Sequence, residues 1–181
     1  MTQMTKKALA KSLQKLLSQR TLDKITVIDI VEDCGVNRQT FYYHFRDVYA
    51  LLEWIFMTEA EKVIAQGITN ATWTRCLNKV FEYLLSHQKF VINAYRSVGL
   101  EALQRYLFST HQHYILHIVQ EIDSQNKISD EDKRFIENFY AHAFVGIIVD
   151  WISGGMKEDY QKITEKTERL LTGTVERFIN N

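Results

Sequence analysis

Six residues in a row of seven carry the clearest chemistry of this chain: Arg38, Gln39, Thr40, Tyr42, Tyr43 and His44. On a helix they share the outer side, because Phe41 and Phe45 are spaced i, i+4 and both turn inward. The outer set holds one cation, several hydrogen-bonding tips and no carboxylate, which suits the groove of a polyanion. Arginine matches guanine O6/N7 and glutamine matches adenine N6/N7, so Arg38 and Gln39, at the start of the helix, are the expected base readers. Tyr43 is placed to meet a thymine methyl or a phosphate. A second, weaker constellation is His113, His117 and Glu121, spaced i, i+4, i+8 with His111 close by. Such a face can hold a metal ion or change charge near neutral pH, and its plainer reading is a polar helix surface. For catalysis the chain offers no nucleophile elbow, phosphate-binding loop, dinucleotide fingerprint or zincin motif. Asp150 beside Trp151, in an apolar helix, is the one candidate for a buried charge. No enzyme activity and no cofactor are expected.

The elements that position the six residues follow from the stretch Ile25–Phe45. Thr26 with Asp29 three positions on is a capping-box start. Ile28, Ile30, Val31 and Cys34 supply the apolar residues of a short helix. Gly35 stands where a helix end favours positive φ, Val36 plugs the turn, and Asn37 caps the helix that carries the six. Before it, a helix from about Thr5 to Gln19 has Leu9, Leu13, Leu16 and Leu17 on one face. After it, Asp47 caps a long helix from about Val48 toward Gln66.

The run ITVIDIVEDCGVNRQTFYYHFRDVYALLEWIF resembles the helix-turn-helix domain of the TetR family of bacterial transcription regulators. The apolar-T-V-x-D-I start, the G-V-cap turn and T-F-Y-x-H-F carry the resemblance over roughly the first 50 residues. FYAHAFVGIIVDWISGGMK, residues 139–157, is similar to the penultimate helix of a subgroup that includes the regulator of the dihydroxyacetone kinase operon. The resemblance implies an all-α protein, with a three-helix DNA-binding domain over 1–50 joined by a long helix to a helical regulatory and dimerisation domain over 51–181. It implies that Thr40, Tyr42 and His44 bind phosphate, and Thr26 and Arg46 complete the expected DNA-contacting set. Many members carry a lysine three residues after the final Phe of the motif. Here that position is Val48, with Arg46 or Tyr49 as possible substitutes.

Composition and charge agree. At 46% hydrophobic over 181 residues the chain can bury a core. It has no proline, where average usage of about 5% would give several, so long helices are favoured. Residues 1–50 hold eight Lys/Arg against five Asp/Glu, and residues 51–181 hold fourteen against seventeen. The basic excess therefore lies with the helix-turn-helix. No apolar run approaches the ~18 residues of a membrane span, and Lys6 and Lys7 are followed by no apolar stretch of a secretion signal. Cys34 and Cys76 lie far apart and are expected to be reduced, packed thiols in a cytoplasm.

In the body, helices are expected near Trp73–Ser86, Lys89–Val98, Glu101–Asp123, Glu131–Ser153 and Asp159–Ile179, with an exposed loop over Asp123–Ile128. Phe135, Phe139, Ala143, Gly146, Ile147 and Asp150 form one stripe, and Phe144, Ile148 and Trp151 another. The first is the expected homodimer face, two helices from each subunit forming a four-helix interface as the resemblance implies. Two recognition helices about 34 Å apart would then read a palindromic operator. Trp73, Phe90, Tyr95, Tyr106, Tyr114, Tyr140 and Trp151 are expected in the core, some of them lining a small-molecule cavity. The function expected is that of a cytoplasmic, homodimeric, sequence-specific regulator. It is either an activator of dihydroxyacetone kinase genes with a protein coactivator or a repressor released by a small-molecule effector. The competing classes are a helical metal-binding or enzymatic bundle and a pure protein-interaction module.

Overall fold

The computed structural model describes residues 2–64, 67–123, 125 and 127–179, with only the helical backbone described over 98–107, 109–114 and a few single positions. Among the described residues there are nine α-helices, one 3-10 turn and no strand. The helices are α1 (Thr2–Leu17), α2 (Val27–Cys34), α3 (Arg38–His44), α4 (Val48–Ile64), α5 (Trp73–Ser86), α6 (Gln88–Ile122), α7 (Asp130–Ser153), α8 (Tyr160–Leu171) and α9 (Thr174–Ile179). The chain divides into two compact units, 1–59 with 87–103 and 60–86 with 104–181.

The first unit closes around leucines and phenylalanines. Leu9, Leu13 and Leu17 of α1 are fully buried, as their spacing requires, with Ile30, Phe41, Leu51 and Ile55. Ile28 departs from expectation. It is exposed, because an eight-residue helix buries a single stripe, here Ile30 and Val31. Two side chains of α6 tie into this unit. The Asn93 amide donates to the Leu17 carbonyl at 2.7 Å, and the Leu22 N–H donates to Ser97 Oγ at 2.8 Å. Together they satisfy backbone groups that the end of α1 and the start of the 3-10 turn leave open.

The second unit has two packing centres. One gathers Ile115, Val119, Ile128, Ile136, Ala141 and Val175, flanked by Phe108, Ile122, Tyr140 and Phe144. The other sets Phe81 of α5 edge-on to Trp151 of α7 at 5.0 Å and stacks it on Tyr160 of α8 at 5.8 Å. The Trp151 indole N–H reaches the Glu158 carbonyl at 2.8 Å, so the buried ring keeps its polar handle satisfied. By length and composition α7 would pass for a membrane-crossing helix. Its Ile136, Ala141, Val145, Ile148, Val149 and Ile152 are instead buried within this unit.

Three boundaries differ from expectation. The helices expected over Lys89–Val98 and Glu101–Asp123 are one helix, α6. Gly99 inside a helix costs about 1 kcal/mol but does not stop it without a capping arrangement. The single helix expected over Asp159–Ile179 is broken at Gly173, where φ is 69°. There Thr172 and Thr174 donate their hydroxyls to the carbonyls of Glu168 and Leu171, at 2.7 Å each, and hold the interruption open. The loop expected to be exposed over Asp123–Ile128 is anchored. Asp123 and Ile128 are buried, and the Asp123 carboxylate accepts the N–H groups of Lys127 and Ile128 at 2.7 and 3.1 Å. Lys133 pairs with the same carboxylate at 3.3 Å. Burial pushes this carboxyl up, but those donors and the Lys133 charge outweigh it and hold it below the usual range.

Asp150, the candidate buried charge, is exposed. It lies on the outer face of α7, whereas Trp151, one residue on, turns inward. Cys34 and Cys76 are free thiols whose pKa is pushed up by burial, the state of inert packed cysteines.

Candidate nucleic-acid interface

Three consecutive caps set the geometry of the helix-turn-helix. At the start of α2, the Asp29 N–H donates to Thr26 Oγ1 at 3.3 Å, and the Thr26 N–H and hydroxyl both donate to the Asp29 carboxylate at 2.7 Å. Arg20 adds an ion pair to the same carboxylate at 2.9 Å. The Thr26 side-chain and backbone bonds, with that of Arg20, lower the Asp29 carboxyl to about 2. At its other end α2 stops on Gly35, left-handed at φ 71°, and the Val36 N–H turns back to the Val31 carbonyl at 3.0 Å. Asn37 Oδ1 then accepts the N–H and the hydroxyl of Thr40 at 2.7 and 2.9 Å, opening α3. For α4, Asp47 Oδ1 accepts the Ala50 N–H at 2.7 Å. The turn between the two short helices is thus fixed by local bonds at both of its ends.

The inner side of α3 is a chain of rings. Phe41 is fully buried and Phe45 nearly so. Their centroids lie 6.1 Å apart, and Phe45 meets Trp54 of α4 edge-on at 5.9 Å. The outer side carries the expected residues. Arg38, Gln39, Tyr42 and Tyr43 are exposed, Tyr43 by 79%, and Thr40 and His44 are half-buried. The ring of Tyr43 leans edge-on against His44 at 4.9 Å, which orients the pair.

Some of the expected site residues have other work. The hydroxyls of Thr26 and Thr40 are engaged in caps, although a hydroxyl oxygen keeps a lone pair for a further donor. Arg46 pairs with Asp47, Nε to Oδ2 at 3.1 Å. Tyr49 is exposed. One cation escaped the sequence reading: Lys6 of α1 holds its ammonium over the rings of Phe45 and Trp54, 5.5 and 5.8 Å from their centroids. A positive charge is thereby brought from α1 to the C-terminal end of α3. Its signal in the sequence is faint, because a lysine one turn before a leucine stripe says nothing of the rings it will meet.

The metal constellation gains nothing. The side chain of His113 lies outside the described residues, His117 is exposed, and Glu121 accepts the Asn70 N–H at 2.8 Å. Among the described residues no three His, Cys, Asp or Glu side chains converge. The side chains of Tyr106 and Tyr114 are likewise outside the described residues. Of the other body aromatics, Trp73, Tyr140 and Phe144 border a cavity of ≈ 290 Å³ in the second unit.

Capped short helices at a glycine turn, with an acid-free polar face outward, define a helix-turn-helix DNA-binding protein carrying a separate helical unit. Residues 11–55 match the family model described as "Bacterial regulatory proteins, tetR family", and residues 71–173 match "Transcriptional regulator C-terminal region". The chain belongs to the TetR family of transcriptional regulators. A curated relative, the HTH-type dhaKLM operon transcriptional activator DhaS of Lactococcus lactis subsp. lactis (strain IL1403), is 25% identical over 178 residues, 96% of this chain and 92% of the relative. A solved structure described as dihydroxyacetone kinase operon activator DhaS superposes with a TM-score of 0.72 at 24% identity, covering 95% of this chain and 96% of its own. A tetR-family transcriptional regulator from Streptomyces coelicolor gives 0.63 at 14% identity, over 91% of this chain and 77% of its own. These two structural likenesses speak for the fold.

Proposed function

We propose that this TetR-type regulator acts in the cytoplasm as a homodimer. It reads a palindromic operator through α3 and is not an enzyme. The observation that carries the reading is the outer face of α3, where Arg38 and Gln39 stand exposed at the N-terminal end, next to backbone N–H groups that favour phosphate. Arg38 and Gln39 read bases. Tyr42, Tyr43, His44, Thr40 and Thr26 touch the backbone or a thymine methyl. Lys6 joins Arg46 in supplying the cation that Val48 does not.

The dimer face is the outer side of α7. Phe135 and Phe139 are 63% and 57% exposed, unusual for rings on a 24-residue helix whose opposite side is core. Ala143, Gly146 and Ile147 continue the stripe half-buried, Asp150 ends it, and a Cβ added at Gly146 would meet nothing within 4 Å. Leu170 of α8 is 74% exposed and extends the apolar surface. A second copy would cover this stripe. Phe139→Glu would leave monomers in sedimentation at concentrations where the parent is dimeric. An unchanged sedimentation coefficient would move the interface elsewhere.

Likeness to DhaS supports regulation as an activator of dihydroxyacetone kinase genes, and a protein coactivator on the body is the partner this reading takes. The cavity beside Trp73 favours a second reading, a repressor released by a small effector that selects one separation of the two DNA-binding heads. Transcription from the recovered operator, with and without the regulator, separates them. Loss of transcription in its absence supports the activator, and gain supports the repressor.

A further inference from the structure

We infer that the cavity bordered by Trp73, Tyr140 and Phe144 is a site for a small organic cation with an apolar body. The inference deepens the reading of the body as a ligand-holding unit and rests on it. The cavity measures ≈ 290 Å³, room for roughly ten to fifteen non-hydrogen atoms at the packing density of protein interiors. Its walls are aromatic on one side. Trp73 and Phe144 lie 5.7 Å apart, and Phe144 stacks on Tyr140 at 6.4 Å. The Tyr140 hydroxyl is tied to Thr174 Oγ1, so what the tyrosine offers is its ring. Aliphatic side chains of α6 (Ile115, Ile118, Val119 and Ile122) also line the cavity.

The electrostatics point one way. Among the described residues of the lining, Glu168 is the one charged side chain, and none is a lysine, arginine or histidine. The lining continues to Leu171 and Thr172, at the C-terminal end of α8, where the helix dipole is negative. Arg177, whose guanidinium donates to the Thr172 carbonyl at 3.5 Å, is not part of the lining. Ring faces attract cations by their quadrupoles, and the Glu168 carboxylate adds to the same sign, while Arg177 offsets the helix end it bonds to. An anion would meet repulsion from Glu168 and no positive partner among the described residues of the lining. A neutral apolar molecule would fill the space but leave the carboxylate unused, so it serves as the comparison probe.

The test uses the full chain and three probes of one shape: benzyltrimethylammonium, its neutral carbon isostere neopentylbenzene, and the anion 3-phenylpropanoate. Binding is read by intrinsic tryptophan fluorescence and by thermal shift. The cation should bind at least about tenfold more tightly than the isostere, and the anion not measurably. Glu168→Gln should weaken the cation about 1.5-fold to fivefold, the range for a solvent-accessible charge pair, and leave the isostere unchanged. Glu165→Gln, on the same helix but outside the lining, should alter neither. Trp73→Leu should weaken both probes, and its circular dichroism checks that it folds. Equal binding of cation and isostere, an unchanged cation affinity in Glu168→Gln, or no cation binding at millimolar concentration overturns the assignment. DNA binding by the ligand-free protein is measured beside it. Lost cation binding with intact DNA binding sinks the cavity assignment alone, and DNA binding absent in every state sinks the regulator reading alone.

Discussion

The helix-turn-helix and the second unit are both built of helices, yet they are specified differently. Around α2 and α3 nearly every boundary is fixed by a side chain within three residues: Thr26 with Asp29, Gly35, Asn37 with Thr40, Asp47 with Ala50. In the second unit α7 and α8 also open on local caps, Ser129 with Asp132 and Asp159 with Gln161. The helices there are nevertheless tied along their length by partners far along the chain, such as Tyr140 with Thr174 and Thr164 with Asn78. Short helices gain little from burial and must be started and stopped by caps. Long helices gain their stability from packing, and a cap matters less. A DNA reader needs the first kind, because its contacts demand a fixed turn and a fixed exposed face.

This contrast can be broken most forcefully at Phe41. Truncation of this fully buried ring to alanine should cost about 3–5 kcal/mol and abolish DNA binding by unfolding the first unit, followed by circular dichroism and urea titration. A loss below 1 kcal/mol would mean that the rings are not what holds α3. Next in size is Arg38→Ala. It should leave the melting temperature unchanged and remove about 1–3 kcal/mol of discrimination at one base pair per half-site, measured with single-substituted duplexes. Uniform weakening across all duplexes would instead make Arg38 a phosphate contact.

Smaller effects sharpen the capping side. Thr26→Ala should cost about 0.5–2 kcal/mol of stability and lower DNA affinity through the placement of α2. The same box carries a pH dependence. Asp29 is held at about 2 against an ordinary 3.8, so its stabilisation is present above pH 4 and is lost as pH falls through 2. Asp29→Asn should flatten that acid limb of the unfolding curve, and an unchanged limb would assign the acid sensitivity to another carboxylate. Smallest is Lys6→Gln, expected to lower the log–log salt slope of DNA binding by about two for a dimer with base preference intact. An unchanged slope would leave Lys6 as a packing residue.

The same contrast explains what could be read from the sequence. Thr26, Gly35, Asn37 and Asp47 announce their roles within a few letters, and each cap stands where its residue type required. Gly99 and Gly173 look alike as letters, yet α6 runs through the first and α8 stops at the second, where the backbone turns left-handed and the flanking threonines bond back to carbonyls of the last turn of α8. Asp150 reads as a buried charge in the sequence but is exposed, because an apolar neighbourhood says nothing of which side of α7 faces the core. Asp123 was misread as exposed because its partner Lys133 lies on the next helix. Lys6 was missed for the same reason, its rings being about forty and fifty residues away. A cavity is expected from the sequence, but which aromatics line it is not legible, because its walls come from five different helices.

The account stands or falls on α3 reading base sequence. Its most direct test is selection of bound duplexes from a random DNA pool by the full chain. A base-reading α3 should recover a palindrome whose half-sites lie one helical turn or a multiple apart, and Arg38→Ala should lose preference at one pair per half-site. Recovery of no consensus, with parent and Arg38→Ala binding all duplexes alike, would contradict it.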